Sequence, residues 1–161
     1  MKLKVGFGYD VHQLNTANKL YLGGILIEDS PYGAVGHSDA DCLIHAIIDS
    51  LLGAANLRDI GFQYPDTDNK YKGIDSKELL KDTLNKITKK GFTIENIDTT
   101  ICLQKPKISG LIPQMQKTLG EILHLNTDDI SIKATTTEHL GSTGRSEGIS
   151  AYSVCLLKKS D

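Results

Sequence analysis

The chain has 161 residues, of which 39% are hydrophobic and 24% are charged, and these fractions are typical of one globular domain spanning residues 1–161. The formal net charge of −2 argues against a nucleic-acid partner and against an acidic membrane surface. No signal-peptide core follows Met1, and no stretch approaches about 18 consecutive apolar residues. We therefore predict a cytoplasmic protein without a membrane span. The three cysteines lie in apolar runs and are predicted to be buried free thiols.

Hydrophobic periodicity predicts the first elements of the chain. Alternating apolar residues predict a strand from Lys2 to Leu14, and Lys19–Glu28 is predicted to be a bent or bulged strand that pairs with it. Ser38, with Asp41 three residues later, is typical of a helix N-cap, so a helix is predicted from about Asp39 to about Ala54.

The rest of the chain alternates between loops, helices and strands. The stretch over residues 56–73 has little periodicity, which is typical of a functional loop that orders over a ligand. Helices are predicted over residues 76–89 and 109–124, strands over residues 92–104, 129–135 and 148–158, and a short helical or turn element over residues 137–145. This order predicts an α+β (α/β two-layer) fold, in which helices cover one face of a mixed β-sheet.

Three residues of the first strand and first helix form a candidate metal site. Asp10 and His12 lie on one face of the strand because side chains alternate with a period of two. His45 lies on the helix, one turn from both Asp41 and Asp49. One carboxylate and two imidazoles are a common set of Zn²⁺ ligands that leaves a fourth position open. The alternative is that His45 is a packed core residue.

Three other connections have the composition of phosphate-binding sites. His37 and Ser38 precede the predicted helix, where an anion is favoured, although His37 could be an ordinary loop residue. The run Thr135-Thr136-Thr137 ends at Glu138, whose carboxylate suits Mg²⁺, and Lys105-Pro106-Lys107 is a basic turn. The alternative for the threonine run is an ordinary β-strand, in which threonine is common. The alternative for the Lys105-Pro106-Lys107 turn is an ordinary surface turn. Together, these connections suggest a diphosphate substrate held by two metals.

Several motifs occur in order along almost the whole chain. They are Gly8-Tyr9-Asp10-Val11-His12, His37-Ser38-Asp39-Ala40-Asp41, Asp59-Ile60-Gly61, Pro65-Asp66-Thr67-Asp68, Lys133-Ala134-Thr135-Thr136-Thr137-Glu138 and Gly144-Arg145-Ser146-Glu147-Gly148. In these motifs, the chain resembles the 2-C-methyl-D-erythritol 2,4-cyclodiphosphate synthase family of the non-mevalonate isoprenoid pathway. The resemblance implies a metal-dependent phosphorus–oxygen lyase that cyclises 4-diphosphocytidyl-2-C-methyl-D-erythritol 2-phosphate and releases CMP.

The resemblance also implies roles for individual residues. Zn²⁺, one per subunit, would bind Asp10, His12 and His45, and Mg²⁺ or Mn²⁺ would bind Glu138 with the substrate. The implied catalytic residues are His37, Thr136 and Glu138, while Asp41 and Asp49 would orient the metal ligands. The implied substrate-binding residues are His37, Ser38, Asp59, Ile60, Gly61, Asp66, Asp68, Leu103, Lys105, Pro106, Lys107, Ile108, Thr135, Thr136, Thr137 and Arg145.

The resemblance further implies a homotrimer with sheets around the threefold axis and active sites between subunits. Arg145 would face that axis, either paired with Glu147 or also binding an isoprenoid diphosphate. Lys105 and Ser142 depart from the family pattern, at the cytidine loop and at the axis. Two other functions stay open on the residues alone. They are a zinc-dependent phosphoesterase and a trimeric nucleotide-binding sensor.

Overall fold

The computed structural model describes residues 1–159. The strands of its main sheet are β1 (Lys2–Asn15), β4 (Gly33–Ala34), β5 (Phe92–Cys102), β6 (Ile130–Thr135) and β7 (Gly148–Lys159). They lie in the order β4-β1-β7-β5-β6, and β5 and β6 are parallel while the other neighbours are antiparallel. The sheet is therefore mixed, as predicted.

The helices pack on one face of this sheet. They are α1 (Cys42–Ala54), α2 (Ile60–Gln63), α3 (Ser76–Lys89), α4 (Ile112–Leu123) and α5 (Gly141–Gly144). Helix α1 lies across β1 and β7, α3 contacts α1 and α4, and α4 contacts β6. The core fills this layer with fully buried side chains such as Leu43, Ile47, Leu80, Ile101 and Leu119. Helices thus cover one face, which confirms the two-layer fold.

Two glycines allow α1 to lie unusually close to β1. A Cβ at Gly6 would lie 2.8 Å from the Ala54 Cβ, and one at Gly8 would lie 2.7 Å from the Ser50 nitrogen and closer still to the Ala46 carbonyl oxygen. Real Cβ atoms essentially never make contacts under 3.0 Å. Only glycine fits at these positions, so the helix backbone rests directly on the strand.

The other face of the sheet is apolar and open to solvent in the described chain. Alternate residues of β1, including Val5 at 70% exposure and Phe7 at 63%, point to this side. The Tyr152 ring of β7 lies 5.1 Å from the Tyr9 ring, measured between centroids. A contiguous apolar surface of this kind is typical of a protein interface.

The start of α1 differs from the prediction. The helix begins at Cys42, and Asp41 is its N-cap, with a carboxylate that accepts a hydrogen bond from Ile44 N at 3.0 Å. Ala40 has a φ of 58°, which is incompatible with a right-handed helix and delays the helix start. Ser38 is therefore not the N-cap of α1, and its hydroxyl instead accepts from Ala40 N at 3.2 Å and lies 3.1 Å from His45 Nε2.

The stretch Lys19–Glu28 also differs from the prediction. It forms two short strands, β2 (Tyr21–Leu22) and β3 (Ile25–Leu26), which pair with each other and not with β1. Gly23 and Gly24 have φ values of 59° and 79°, which are typical of a two-residue hairpin turn. The prediction of one bent strand was wrong because the two glycines reverse the chain direction.

Several other boundaries are close to those predicted. Helix α3 starts at Ser76 with Asp75 as its N-cap, while the predicted third helix consists of a short 3-10 helix, Ser109–Leu111, followed by α4. The stretch over residues 56–73 is more ordered than expected, since it contains α2 and the 3-10 helix Asn69–Tyr71. A third 3-10 helix spans Thr127–Asp129. All cysteines are free, with Cys42 and Cys155 buried and Cys102 half-buried.

Candidate active site

Three side chains that could hold a metal ion meet between β1 and α1. Asp10 and His12 share the helix-facing side of β1, and His45 lies one turn into α1. The Asp10 Oδ2 atom lies 2.9 Å from His12 Nε2 and 3.2 Å from His45 Nδ1, and the two nitrogens lie 3.1 Å apart. One oxygen and two nitrogens therefore converge on a single point. This set suits tetrahedral Zn²⁺ with a fourth position left open.

The hydrogen bonds of His12 decide which of its nitrogens can bind a metal. His12 Nδ1 lies 2.8 Å from the carbonyl oxygen of Val35. A carbonyl can only accept, so Nδ1 carries a proton, and Nε2 is the nitrogen that faces Asp10 and His45 and can bind a cation. Metal-binding histidines usually donate their other nitrogen to such a partner. The donor atoms in this cluster thus fit a cation.

Charge interactions within the cluster shift two pKa values. Burial acts to raise the pKa of Asp10, but hydrogen bonds from His12 and His45 outweigh it and lower that pKa to about 2. Burial likewise acts to lower the pKa of His12, yet the adjacent Asp10 carboxylate raises it. Both shifts favour a positive charge at the centre of the cluster. A proton and a metal ion would therefore compete for this position.

The cluster lines a cavity of about 240 Å³, which we call the metal cavity. Its wall brings together residues from the loop before α1, from α2 and from the following loop. Of the residues predicted to bind substrate, five line it, namely His37, Ser38, Ile60, Gly61 and Asp66. His37 Nε2 is buried and has no hydrogen-bond partner within the described residues. Buried polar atoms normally have a hydrogen-bond partner, so the unpaired His37 Nε2 favours a polar group of a bound ligand at this position.

A second cavity of about 360 Å³ lies at the ends of β5 and β6, and we call it the loop cavity. The predicted site residues that line it are Leu103, Pro106, Lys107, Ile108, Thr135 and Thr136. It shares no lining residue with the metal cavity. The predicted site residues are therefore divided between two separate surfaces of one chain.

Glu138 belongs to neither cavity in the described chain. Its carboxylate accepts a long hydrogen bond of 3.4 Å from the Thr136 hydroxyl, and its backbone φ is 51°. His139 follows with a φ of 62°, and its N–H donates to the Gln104 side chain at 3.3 Å. Glu138 therefore lies on the loop-cavity side of the chain, away from the metal cluster.

The sequence profile of the YgbB family matches residues 3–158. The chain belongs to the YgbB family. A curated relative, the 2-C-methyl-D-erythritol 2,4-cyclodiphosphate synthase of Bacteroides fragilis, is 59% identical over 159 residues, which cover 99% of each chain. This identity extends over the metal cavity and the loop cavity alike.

Two solved structures share the fold of this YgbB-family chain. The bifunctional IspDF from Campylobacter jejuni has a TM-score of 0.94 at 42% identity, and the match covers 99% of this chain and 43% of that one. The IspF of Plasmodium falciparum in complex with CDP has a TM-score of 0.86 at 31% identity, with 99% of this chain and 97% of that one covered. Among the described residues of the present chain, no helix has the length and apolar character needed to cross a bilayer.

Two aspartates of this YgbB-family chain have different partners from those predicted. Asp41 is fully buried, and its carboxylate accepts from Gly23 N at 3.0 Å and from Gly24 N at 2.7 Å, besides capping α1. Asp49 accepts from Ile60 N at 2.8 Å. Within the described residues, the hydrogen bonds of both carboxylates go to backbone N–H groups and not to a candidate metal ligand, and their role in orienting the ligands stays a prediction. They anchor the β2–β3 hairpin and the start of α2.

The remaining predicted residues line neither the metal cavity nor the loop cavity. Asp59 caps α2 by accepting from Phe62 N at 3.1 Å, and Asp68 accepts from Lys70 N. Arg145 is exposed and pairs with Glu147 through two hydrogen bonds of 2.8 and 3.0 Å. Lys105 and Thr137 do not line the loop cavity.

The sequence analysis missed three residues at the metal cavity. Tyr64 lines it and anchors the loop to α3, because its hydroxyl lies 2.8 Å from Asp82 Oδ2 and 2.9 Å from Thr83 Oγ1. The Tyr71 ring packs edge-on against it at 5.5 Å. Ser76 contacts His45 directly, at 2.9 Å. Tyr64 and Tyr71 could have been found from the sequence, because aromatic residues in a polar loop often line a binding site. Ser76 could not, because the sequence around it shows only the pattern of a helix start.

Proposed function

We propose that this chain converts 4-diphosphocytidyl-2-C-methyl-D-erythritol 2-phosphate into 2-C-methyl-D-erythritol 2,4-cyclodiphosphate and CMP. An oxygen of the 2-phosphate attacks the β-phosphorus of the diphosphate in the same molecule. The bond from the β-phosphorus to the oxygen that bridges to CMP breaks, and CMP leaves with that oxygen. The observation that carries the proposal is the cluster of Asp10, His12 and His45 lining a cavity, in a chain 59% identical to a synthase of this name.

In this proposal, the metal cluster and its neighbours hold the reacting phosphates. Asp10, His12 and His45 bind one Zn²⁺ per subunit. When bound, the ion polarises and orients a phosphoryl oxygen. His37 and Ser38 bind the attacking 2-phosphate, and the unpaired His37 Nε2 supports this role. Because the reaction is intramolecular, positioning and charge neutralisation are most of the catalysis.

The two ends of the substrate are held by residues between α1 and α3 and by residues of the loop cavity. Asp59, Ile60 and Gly61 contact the methylerythritol hydroxyls, with Asp66 and Asp68 beside them. The cytidine occupies the loop cavity, where it contacts Leu103, Pro106, Lys107 and Ile108, with Lys105 beside them in the chain. The related IspF structure in complex with CDP supports a cytidine ligand for this fold.

The diphosphate lies between these ends. Thr135, Thr136 and Thr137 bind it through hydroxyl and backbone groups, and Glu138 holds Mg²⁺ or Mn²⁺ between its phosphates. Carboxylate oxygens suit these hard cations, which usually also bind substrate phosphates. Among residues 1–159, the exposed Glu138 carboxylate has a single long hydrogen bond, from Thr136, to exchange for the ion.

We also propose that the chain acts as a homotrimer with active sites between subunits. The metal cavity and the loop cavity share no residue in one chain, so a substrate that needs both is served when a second subunit brings its loop cavity to the first. The open apolar face of β1 and β7 supplies the surface for such contacts. Arg145 and Glu147 lie near the axis in this arrangement, and an isoprenoid diphosphate bound there stays a prediction.

Phosphorus NMR of the product tests the reaction. We expect the cyclic diphosphate and CMP from the wild-type protein with Zn²⁺ and Mg²⁺, and neither after chelation. His45→Ala should lose zinc and activity, while Glu138→Gln should keep zinc but need more Mg²⁺, because only the charge is removed. An open phosphate product would indicate a phosphoesterase. Nucleotide binding without turnover would indicate a sensor.

A further inference from the structure

The His45 ring has two nitrogens with opposite surroundings. Nδ1 faces Asp10 and His12 in the metal cluster. Nε2 points the other way, into the protein, where it lies 2.9 Å from the Ser76 hydroxyl and 3.1 Å from the Ser38 hydroxyl. Ser76 is fully buried, so no water competes for this contact. The group that meets Nε2 therefore decides where the ring carries its proton.

Ser76 is in turn fixed by Asp39. The Ser76 hydroxyl donates to Asp39 Oδ1 in a short hydrogen bond, and the Ser76 N–H donates to Asp39 Oδ2 at 3.0 Å. The Asp41 N–H also donates to Oδ1, at 3.2 Å. The carboxylate thus accepts from three donors, two of which belong to Ser76.

Counting protons in this chain of contacts gives the tautomer of His45. A carboxylate can only accept, so the single hydroxyl proton of Ser76 points to Asp39. The Ser76 oxygen then has only lone pairs to offer to His45, so Nε2 donates to it, and the Ser38 oxygen can accept from the same N–H. With a proton fixed on Nε2, Nδ1 is the nitrogen that faces Asp10 and His12 and gives its lone pair to a cation that displaces the proton between them. We propose that Asp39 and Ser76 are positioning residues that hold His45 in the tautomer that binds the metal.

The same residues connect the metal ligand to the start of α3. Gly73 N donates to the His37 carbonyl at 2.8 Å, and Asp39 N donates to the Ile74 carbonyl at 3.2 Å. These bonds join the loop before α1 to the loop before α3. The first residue of α3 therefore lies against His45 through a fixed set of hydrogen bonds. This inference rests on the metal site of the proposed function and adds two residues to which the sequence analysis gave no site role.

Asp39→Asn tests the direction of these hydrogen bonds with little change in shape. Asparagine offers one acceptor oxygen to three donors, and its amide can donate to the Ser76 oxygen. The Ser76 hydroxyl is then free to donate to His45 Nε2, which favours a proton on Nδ1. We expect zinc affinity to fall about 10- to 100-fold, the usual cost of losing an outer-shell partner. Ser76→Ala removes the acceptor and should weaken zinc binding in the same direction.

Two measurements are needed, and one of them requires no metal. The ¹⁵N chemical shifts of the His45 ring in the metal-free protein report its tautomer, and competition with a chelator gives the zinc dissociation constant. Wild type should carry the proton on Nε2, and Asp39→Asn should shift the population toward Nδ1. Asp75→Asn is the matched control, because Asp75 caps the same helix by accepting from Lys77 N and does not contact His45. It should change neither quantity.

The outcomes separate this proposal from the proposed function. A wild-type His45 with no proton on Nε2, or an Asp39→Asn protein with unchanged Nε2 protonation and zinc affinity, overturns the positioning role. Circular dichroism of each variant shows whether it is folded, and Ser76→Ala provides the second variant if Asp39→Asn is not. If wild type binds no zinc but holds the Nε2 tautomer, the proposed metal site fails while the hydrogen-bond assignment stands.

Discussion

The distance between β1 and α1 should control metal binding. A substitution at Gly8 changes this distance directly. In Gly8→Ala, the new Cβ would lie 2.7 Å from Ser50 N and closer to the Ala46 carbonyl. Moving Ser50 N alone to the 3.4 Å of an ordinary contact displaces α1 by about 0.7 Å. Metal–ligand distances in working sites hold to within about 0.2 Å. The displacement therefore exceeds the tolerance of the site several-fold.

Two quantities should change in Gly8→Ala. Overpacking of this kind costs about 1–3 kcal/mol of unfolding free energy. Zinc affinity should fall at least about 100-fold, the upper end of the cost of losing an outer-shell partner, because His45 moves with α1 away from Asp10 and His12. Urea unfolding followed by circular dichroism gives the first quantity. Competition with a chelator gives the second.

Gly53→Ala is the matched control in the same helix. Gly53 is exposed, and a Cβ there would have no heavy atom within 4 Å. The substitution should stabilise the protein by about 0.5–1 kcal/mol, since glycine is unfavourable inside a helix, and should leave zinc affinity unchanged. A Gly8→Ala protein that binds zinc within threefold of wild type would refute the argument that close helix–strand approach builds the site.

Three further changes test other parts of the structure. Asp41→Asn should destabilise the protein by about 2–3 kcal/mol in urea unfolding, because one amide oxygen cannot serve three buried N–H donors. Leu80→Ala should cost about 2–5 kcal/mol without changing zinc affinity, since this fully buried residue does not line the metal cavity. Burial and the Asp82 carboxylate raise the pKa of Tyr64 above the usual 10.0, so wild type should lose stability relative to Tyr64→Phe as the pH rises above 10.

Each of these expectations has a contrary result. An Asp41→Asn protein as stable as wild type would mean that the hairpin and helix N–H groups find water instead. Weaker zinc binding in Leu80→Ala would show that α3 packing reaches the cluster. A stability difference between wild type and Tyr64→Phe that stays constant above pH 10 would mean that Tyr64 does not titrate with unfolding. The stability of wild type should fall at high pH because the folded state keeps the Tyr64 hydroxyl neutral, whereas the hydroxyl in the unfolded state ionises near its usual pKa.

The three candidate metal ligands could be predicted from the sequence because their placement depends on local periodicity. The period of two placed Asp10 and His12 on one face of β1, and helix geometry placed His45 beside an apolar stripe. Their convergence also needs the close approach that Gly6 and Gly8 allow, and the sequence alone gave no sign of it. Glycines in a strand are more often read as weak points than as contact surfaces.

The errors in the prediction involve residues whose roles depend on tertiary contacts. Asp41 lies on the predicted polar face of α1, yet it is fully buried because the β2–β3 hairpin donates two N–H groups to it. The left-handed backbone of Ala40 moved the N-cap from Ser38 to Asp41. Neither the hairpin contact nor this conformation has a local signature. Capping patterns can thus predict that a helix starts, but not which of several candidates caps it.

The order of strands has a consequence for synthesis of the protein. β7 lies at the centre of the sheet and pairs with both β1 and β5, although it is the last described strand to be made. About 130 residues separate the end of β1 from its partner, so a ribosome needs on the order of ten seconds between them. During that time, β1 has an unpaired edge that a chaperone can hold. Asp10 and His12 pair with Ala151 and Ile149 of β7, so the stretch of β1 that carries these candidate metal ligands gains its sheet partner only when β7 arrives.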